Sequence, residues 1–434
     1  MVVAVASAVL VATSTPANAH QTPWGQGNSE ARDLVVSLAT FSPGDDIAQW
    51  FGHTALIVED RRLNVSRMYN YGMFHFDQDM LVRFALGRLE FWVAATPIPD
   101  SYNIYIAEDR DIRLIELNLP EERRLEVAEF LADNVRPENR EYLYHHYDDN
   151  CSTRVRDVID LAVDGQFSEA YQDDPARMTL REHTRRHSAH MPPMDWLLMY
   201  WMNSSIDEPA TVWDEMFLPE ELERQVLNFE WEDDDGEVRP LSLREHYVYE
   251  AEEREPVPAK APTHWPWWLL AGAVIGLVGV LIAFGGRRRP GRASRVGYGL
   301  YHMVVGLLLG GPGLLLGVMS TMTEHSVTYW NQNLLLGSPL TLVVALLAVF
   351  VLRGSLTARQ WLVKLWTALA ALALVGIGVA IAGQFFPVLY QDTALALAFT
   401  VPIVAGATAS TWLVDGRLAK EECTGEETVD VGSD

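Results

Sequence analysis

The chain has 434 residues, two cysteines and a formal charge of −25 at neutral pH. Two cysteines cannot build a disulfide framework, and so acidic a chain lacks the cationic surface that a nucleic-acid backbone requires, so no nucleic-acid partner is expected. The acid is one-sided: from Trp265 onward ten Lys/Arg meet nine Asp/Glu, leaving 23 basic and 49 acidic residues before it. That balance suits an extracytoplasmic or a high-salt setting.

Residues 1–19 are small and apolar and end in Ala17-Asn18-Ala19, which fits a cleaved signal peptide without a basic start; a retained anchor is the alternative. A domain is expected over 28–255. Leu34-Val35-Val36-Ser37-Leu38, residues 53–58, Arg67-Met68-Tyr69-Asn70-Tyr71-Gly72 and residues 112–119 read as strands, being β-branched or apolar runs between turn residues. Pro120-Glu121-Glu122 opens a helix to about residue 135, with Pro first and acids in its first turn. A second helix starts at Cys151, and after Gly165 the chain reads as helical and irregular. The charged run 230–239 reads as a solvated loop. Strands and helices do not alternate, so the class is α+β.

Residues 256–264, with Pro256, Pro258 and Pro262, read as a linker. Trp265-Pro266-Trp267-Trp268 then forms an interfacial aromatic belt, and five apolar stretches follow, at 269–286, 298–319, 334–352, 361–382 and 393–414. The expected second domain is an all-α five-helix transmembrane domain over 265–416, with a tail at 417–434. Loops 287–295 and 353–359 and the start of the tail carry the basic residues, whereas 320–333 and 383–391 hold no Lys or Arg. By the positive-inside rule the basic loops and the C-terminus are cytoplasmic and the acidic domain is outside. Cys151 and Cys423 then lie on opposite sides of a membrane and are not expected to pair.

The chemistry centres on Tyr147-Asp148-Asp149-Asn150-Cys151-Ser152-Thr153-Arg154. Asn150 is a good N-cap, and Val155, Val158, Ile159 and Ala162 follow as an apolar stripe. Cys151 in the first turn gains from unpaired N–H groups, which favour a thiolate and can hold an oxyanion, with the Asn150 side chain as a second donor. Asp148 and Asp149 oppose the thiolate, so a base is needed. His53, in Phe51-Gly52-His53-Thr54, is the candidate, with Gly52 permitting close backbone approach. The base precedes the nucleophile, so a papain-like site must be circularly permuted. Asn70 is the first choice to orient the imidazole and Asp60 the second. The bland readings are a buried hydrophobic thiol, a core histidine and a turn asparagine. His183, His187 and His190 have helical spacing, but Thr184 stands where a metalloprotease has Glu, and interleaved arginines favour a solvated basic helix over a metal site. His145 and His146 line the cleft or pack its loop, and His302 and Glu324-His325 are candidates for a lipid entrance.

Phe51-Gly52-His53-Thr54, Tyr69-Asn70-Tyr71-Gly72-Met73-Phe74, residues 142–147 and Asp149-Asn150-Cys151-Ser152-Thr153-Arg154-Val155-Arg156-Asp157 resemble the periplasmic domain of the Lnb-type lipoprotein N-acyltransferases, and the tail resembles that family's five-helix membrane domain. His75 departs from it, standing where an acidic residue is expected. The resemblance implies a permuted papain/NlpC-like thiol fold in the periplasm, anchored in the bacterial inner membrane, with Cys151 as nucleophile and His53 as base. It implies a thiol-dependent enzyme that moves an acyl chain from a phospholipid donor to an apolipoprotein acceptor without metal or other cofactor. A thiol peptidase or amidase acting on the cell wall, and a non-catalytic membrane assembly factor, are the alternatives.

Overall fold

The computed structural model describes residues 21–74, 82–83, 85–233 and 235–426, with side chains to residue 414. The expected signal segment and His75 lie outside the described residues. The chain forms two compact units, Met1–Ser188 with Glu208–Ala261 and Ala189–Asp207 with Pro262–Asp434. The second therefore includes a short segment from inside the expected first domain.

The first unit is α+β. In chain order it runs β1 (Leu34–Phe41), β2 (His53–Asp60), β3 (Val65–Met73), β4 (Glu90–Thr96), α1 (Ile98–Ala107), β5 (Ile112–Leu117), α2 (Glu121–Asn134), β6 (Glu141–Leu143), α3 (Cys151–Ala162) and α4 (Leu180–Ser188). After α5 (Pro192–Trp201), which belongs to the other unit, come α6 (Pro219–Asn228), β7 (Glu230–Glu232), β8 (Val238–Pro240) and β9 (Ser242–Tyr249). Among the described residues seven strands form one sheet in the order β6-β4-β3-β2-β1-β5-β9, every neighbouring pair antiparallel.

Strands with both faces covered lose the polar alternation of a half-exposed sheet, which is why β1 and β2 are nearly continuous apolar runs. Leu34, Val36, Leu38, Leu56 and Val58 face a core shared with Val127 and Leu131 of α2 and Val155 and Ile159 of α3. The alternate residues Ala39, Phe41, Ala55 and Ile57 face a smaller cluster with Ile98, Tyr102 and Tyr105 of α1. The expected loop at 230–239 is instead a hairpin of β7 and β8, anchored by Trp231 in the main core. Its flanking glutamates are exposed, so the charge hid a strand with one inward side chain.

The second unit contains α7 (Trp265–Arg288), α8 (Arg292–Met322), α9 (Thr341–Leu352), α10 (Leu356–Gly383) and α11 (Ala394–Glu426). Among the described residues four helices are long and apolar enough to cross a membrane: α7, α8, α10 and the Ala394–Val414 part of α11. The stretch expected as a third span gives only the 12-residue α9. Gly337-Ser338-Pro339 interrupts it, and the preceding residues form a one-turn helix at Gln332–Leu335.

Apolar helices in a bilayer gain little from apolar burial and associate through close packing of small residues. A Cβ on Gly272 would sit 2.4 Å from the Phe399 carbonyl oxygen, and one on Gly276 2.4 Å from that of Pro402. These glycines let α7 and α11 touch backbone to backbone. α5 packs in the same unit: the Trp196 indole donates to the Leu395 carbonyl at 3.1 Å, and Tyr200 donates to the Gly337 carbonyl. Asn331 and Asn333 return side-chain amides to the carbonyls of Trp201 and Tyr200, at 2.8 and 2.9 Å, closing the exposed end of α5. His302 is buried in α8, where its Nδ1 accepts the Trp366 indole N–H at 3.0 Å, so it does not line an entrance.

Candidate active site

Asn150 has extended backbone and its side-chain oxygen accepts from the N–H groups of Ser152 and Thr153, at 2.8 and 3.0 Å. Thr153 Oγ1 returns an acceptor to the Asn150 N–H, completing a capping box. The Asn150 amide donates to the carbonyls of His146 and Phe217, at 2.9 and 3.0 Å. Both ends of this side chain are engaged, so Asn150 fixes the helix start and is not free to serve as the oxyanion donor expected of it. His145 and His146 belong to the turn before it, with His145 Nδ1 2.9 Å from the Asp148 carboxylate.

The β2–β3 ladder ends at Leu56↔Tyr69, so the first three residues of β2 have no partner on that side. The α3 start takes their place, and the Thr54 backbone N–H points to the Cys151 sulfur. Gly72 lies beside the helix start: its φ of +91° favours glycine, and a Cβ there would be in ordinary contact with that of Cys151, at 3.7 Å. Gly52, at φ +77°, turns the chain into β2, where a side chain would meet the Phe41 carbonyl oxygen at 2.8 Å. The segment brings His53 into β2 next to the residue whose amide meets the thiol. Both His53 and Cys151 are half-buried.

His53 Nε2 lies 3.2 Å from Asn70 Oδ1. Asn70 Nδ2 donates to Thr96 Oγ1 at 2.8 Å, and Thr96 Oγ1 is 2.9 Å from the Ser101 hydroxyl. That chain fixes the amide with its oxygen toward the imidazole, which places the proton on Nε2 and leaves the lone pair on Nδ1. Asp60, at the far end of β2, instead accepts the Leu63 N–H at 2.8 Å and has no part in the site.

Burial is the main reason His53 is pulled down to about 4; its bond to Asn70 opposes this, and the Arg110 charge adds to it. Burial likewise pushes the Cys151 thiol up to about 11, against the amides of Thr54, Ser152 and Cys151 and the charge of Arg110. The neighbouring aspartates, expected to be the obstacle, are tied to Arg154 and His145. The resting pair is therefore a neutral thiol and a neutral imidazole.

Several residues here have no local signature. Tyr105 stacks on Phe41 with ring centroids 3.8 Å apart and lies 6.4 Å from the His53 ring, and the buried Arg110 sits 4.7 Å from the Tyr105 ring. The Tyr142 hydroxyl is buried without a hydrogen-bond partner and comes 4.0 Å from a Cβ built on Gly72, on the same side as Cys151. Its pKa is raised, first by burial and next by the thiolate charge of Cys151. α4, expected to be a solvated basic helix, is buried: His183 Nε2 is 2.7 Å from Glu215, and His187 Nδ1 is 2.8 Å from the Trp50 carbonyl oxygen. His187 thereby braces the turn that leads into His53. Among the described residues no group of three or more His, Cys, Asp or Glu is arranged to hold a metal.

The profile of one known family, the Lnb N-terminal periplasmic domain, matches residues 20–186. No curated protein and no solved structure matches the chain. The matched segment holds Cys151, His53, Asn70 and Tyr142, and the four apolar spans lie beyond it. Residues 20–186 thus belong to the Lnb N-terminal periplasmic domain family, at the head of a chain that continues into a helical membrane region.

Proposed function

We propose that the chain is a lipoprotein N-acyltransferase that moves an acyl chain from a phospholipid, through a thioester on Cys151, to the N-terminal amine of a lipid-modified apolipoprotein. The observation that carries this reading is a thiol at a capped helix start that faces the amide of Thr54, the residue after His53, whose imidazole Asn70 orients. Membership of an Lnb periplasmic domain family, which suggests lipoprotein modification, supports it. So do the apolar spans, because a bilayer-anchored enzyme meets bilayer-anchored donor and acceptor. The fold is read as a permuted papain/NlpC-like thiol domain, with the base ahead of the nucleophile in the chain.

His53 Nδ1 takes the thiol proton as the sulfur attacks the ester carbonyl carbon of the phospholipid. The N–H groups of Cys151 and Thr54 and the Tyr142 hydroxyl stabilise the oxyanion. The tetrahedral adduct collapses, the His53 proton passes to the departing alkoxide, and a lysophospholipid leaves. The α-amine of the acceptor then attacks the thioester, giving an amide and restoring the thiol. Neither a metal nor another cofactor is needed for these steps. Counting α9 with its one-turn lead as a crossing puts the acidic unit in the periplasm and the C-terminus in the cytoplasm of an inner-membrane protein. In cells that depend on this chain for N-acylation, Cys151→Ala and His53→Ala leave lipoprotein N-termini free by mass spectrometry. Unaltered N-acylation with either variant sinks the proposal.

A further inference from the structure

We infer that the arginine-lined cleft of the second unit is a binding site for the headgroup phosphate of an anionic phospholipid. The cleft encloses about 190 Å³ at the junction of α7, α8, α10 and α11. Arg287, Arg295 and Arg359 line it, and among the described residues no Asp or Glu does. The Nε atoms of Arg295 and Arg359 are buried without a hydrogen-bond partner. A buried guanidinium nitrogen left unpaired is costly, and an anion with several acceptor oxygens relieves that cost.

The start of α8 supplies an independent feature. This 31-residue helix begins after Gly291 with no side-chain cap, and both Gly291 and Ser294 line the cleft. The open N–H groups of its first turn and the positive end of its dipole favour a phosphate there. Arg295 is also packed, with its Nη1 3.3 Å from a Cβ built on Gly354.

The rest of the lining decides which phosphate it is. Ile282, Leu413 and Val414 give the same cleft apolar walls, which suit the glycerol and acyl portion of a lipid and have no use for inorganic phosphate. Three arginines against one aromatic ring, Tyr298, and no described carboxylate favour an anionic headgroup such as phosphatidylglycerol over one that carries an ethanolamine or choline cation. Basic pockets between membrane helices take anionic headgroups in this way. The cleft shares no residue with the Cys151 site, so the inference stands or falls apart from the acyl-transfer reading.

The test is native mass spectrometry of the full chain in detergent, titrated separately with phosphatidylglycerol, phosphatidylcholine and inorganic phosphate. Wild type retains phosphatidylglycerol at least tenfold more tightly than phosphatidylcholine, and millimolar phosphate does not displace it. The double variant R295Q/R359Q loses that preference, while R289Q, at an arginine outside the lining, keeps it. Equal retention of the two lipids, an unaffected double variant, or displacement by phosphate alone overturns the inference. If the double variant does not fold, a photoactivatable phosphatidylglycerol decides the matter on wild type. Labelling within 282–298, at 359 or at 413–414 supports the site, and labelling confined to other residues overturns it.

Discussion

At the scale of single residues, the site depends on two groups whose shared burial keeps each uncharged. A thiol pushed up to about 11 and an imidazole pulled down to about 4 do not form a resting ion pair. Iodoacetamide reacts with thiolate, so the alkylation rate of Cys151 should climb roughly tenfold per pH unit from 7 to 9. A plateau beginning near pH 5 indicates a preformed thiolate–imidazolium pair and contradicts this picture. Tyr142→Phe gives a sharper test of the oxyanion. The hydroxyl has no partner to lose, so thermal stability should not fall, while kcat drops about 100-fold with KM little changed, the usual cost of one oxyanion donor. Equal losses in stability and activity assign Tyr142 to packing. Cys151, His53 and Asn70 were legible because a lone thiol among capping residues and a histidine after a glycine are local patterns. Arg110 and Tyr142 were not, since an arginine after a short helix and a tyrosine in a three-residue strand gain meaning only from distant neighbours.

At the scale of elements, α3 is where local sequence and tertiary structure agree most closely, because one side chain serves both. Asn150 caps its own helix and fastens it to the carbonyls of His146 and Phe217. Asn150→Ala loses a cap, about 1 kcal/mol, and strands two buried carbonyls, another 1–3 kcal/mol in rough terms. Chemical denaturation of the variant should show a loss of about 2–4 kcal/mol, with Asn150→Ser recovering the cap share. A loss below about 1 kcal/mol means that the helix start is held by something else. Strands β1 to β3, β5 and the α2 helix were legible from period and punctuation. β7 and β8 were hidden by six acids in ten residues, although the single inward Trp231 outweighs them. α4 was misread for a similar reason: its arginines and histidines look solvated until Glu215, Glu220 and Glu221, some thirty residues on, are folded against them.

At the scale of the whole molecule, the division into an acidic α+β part and a helical membrane part was legible from composition, but the boundary was not. A chain reading assigns residues 189–207 to the first domain, since they lie well inside it. Their partners are in the second unit: Trp196 and Tyr200 are buried there and bond to the carbonyls of Leu395 and Gly337. The order of residues along a chain carries no information about which of two cores a short apolar helix joins. A fragment of residues 21–261 therefore leaves α5 with Trp196, Met199 and Tyr200 and nothing to cover them, an apolar patch of the kind that drives association. Size-exclusion chromatography of this fragment should show oligomers in buffer and a monomer in mild detergent. Replacing 189–207 by a glycine-serine linker of the same length should restore a monomer without detergent while Cys151 keeps its alkylation profile. A monomeric parent fragment in buffer means that the first unit covers α5 by itself, and the assignment of this segment to the membrane part then fails.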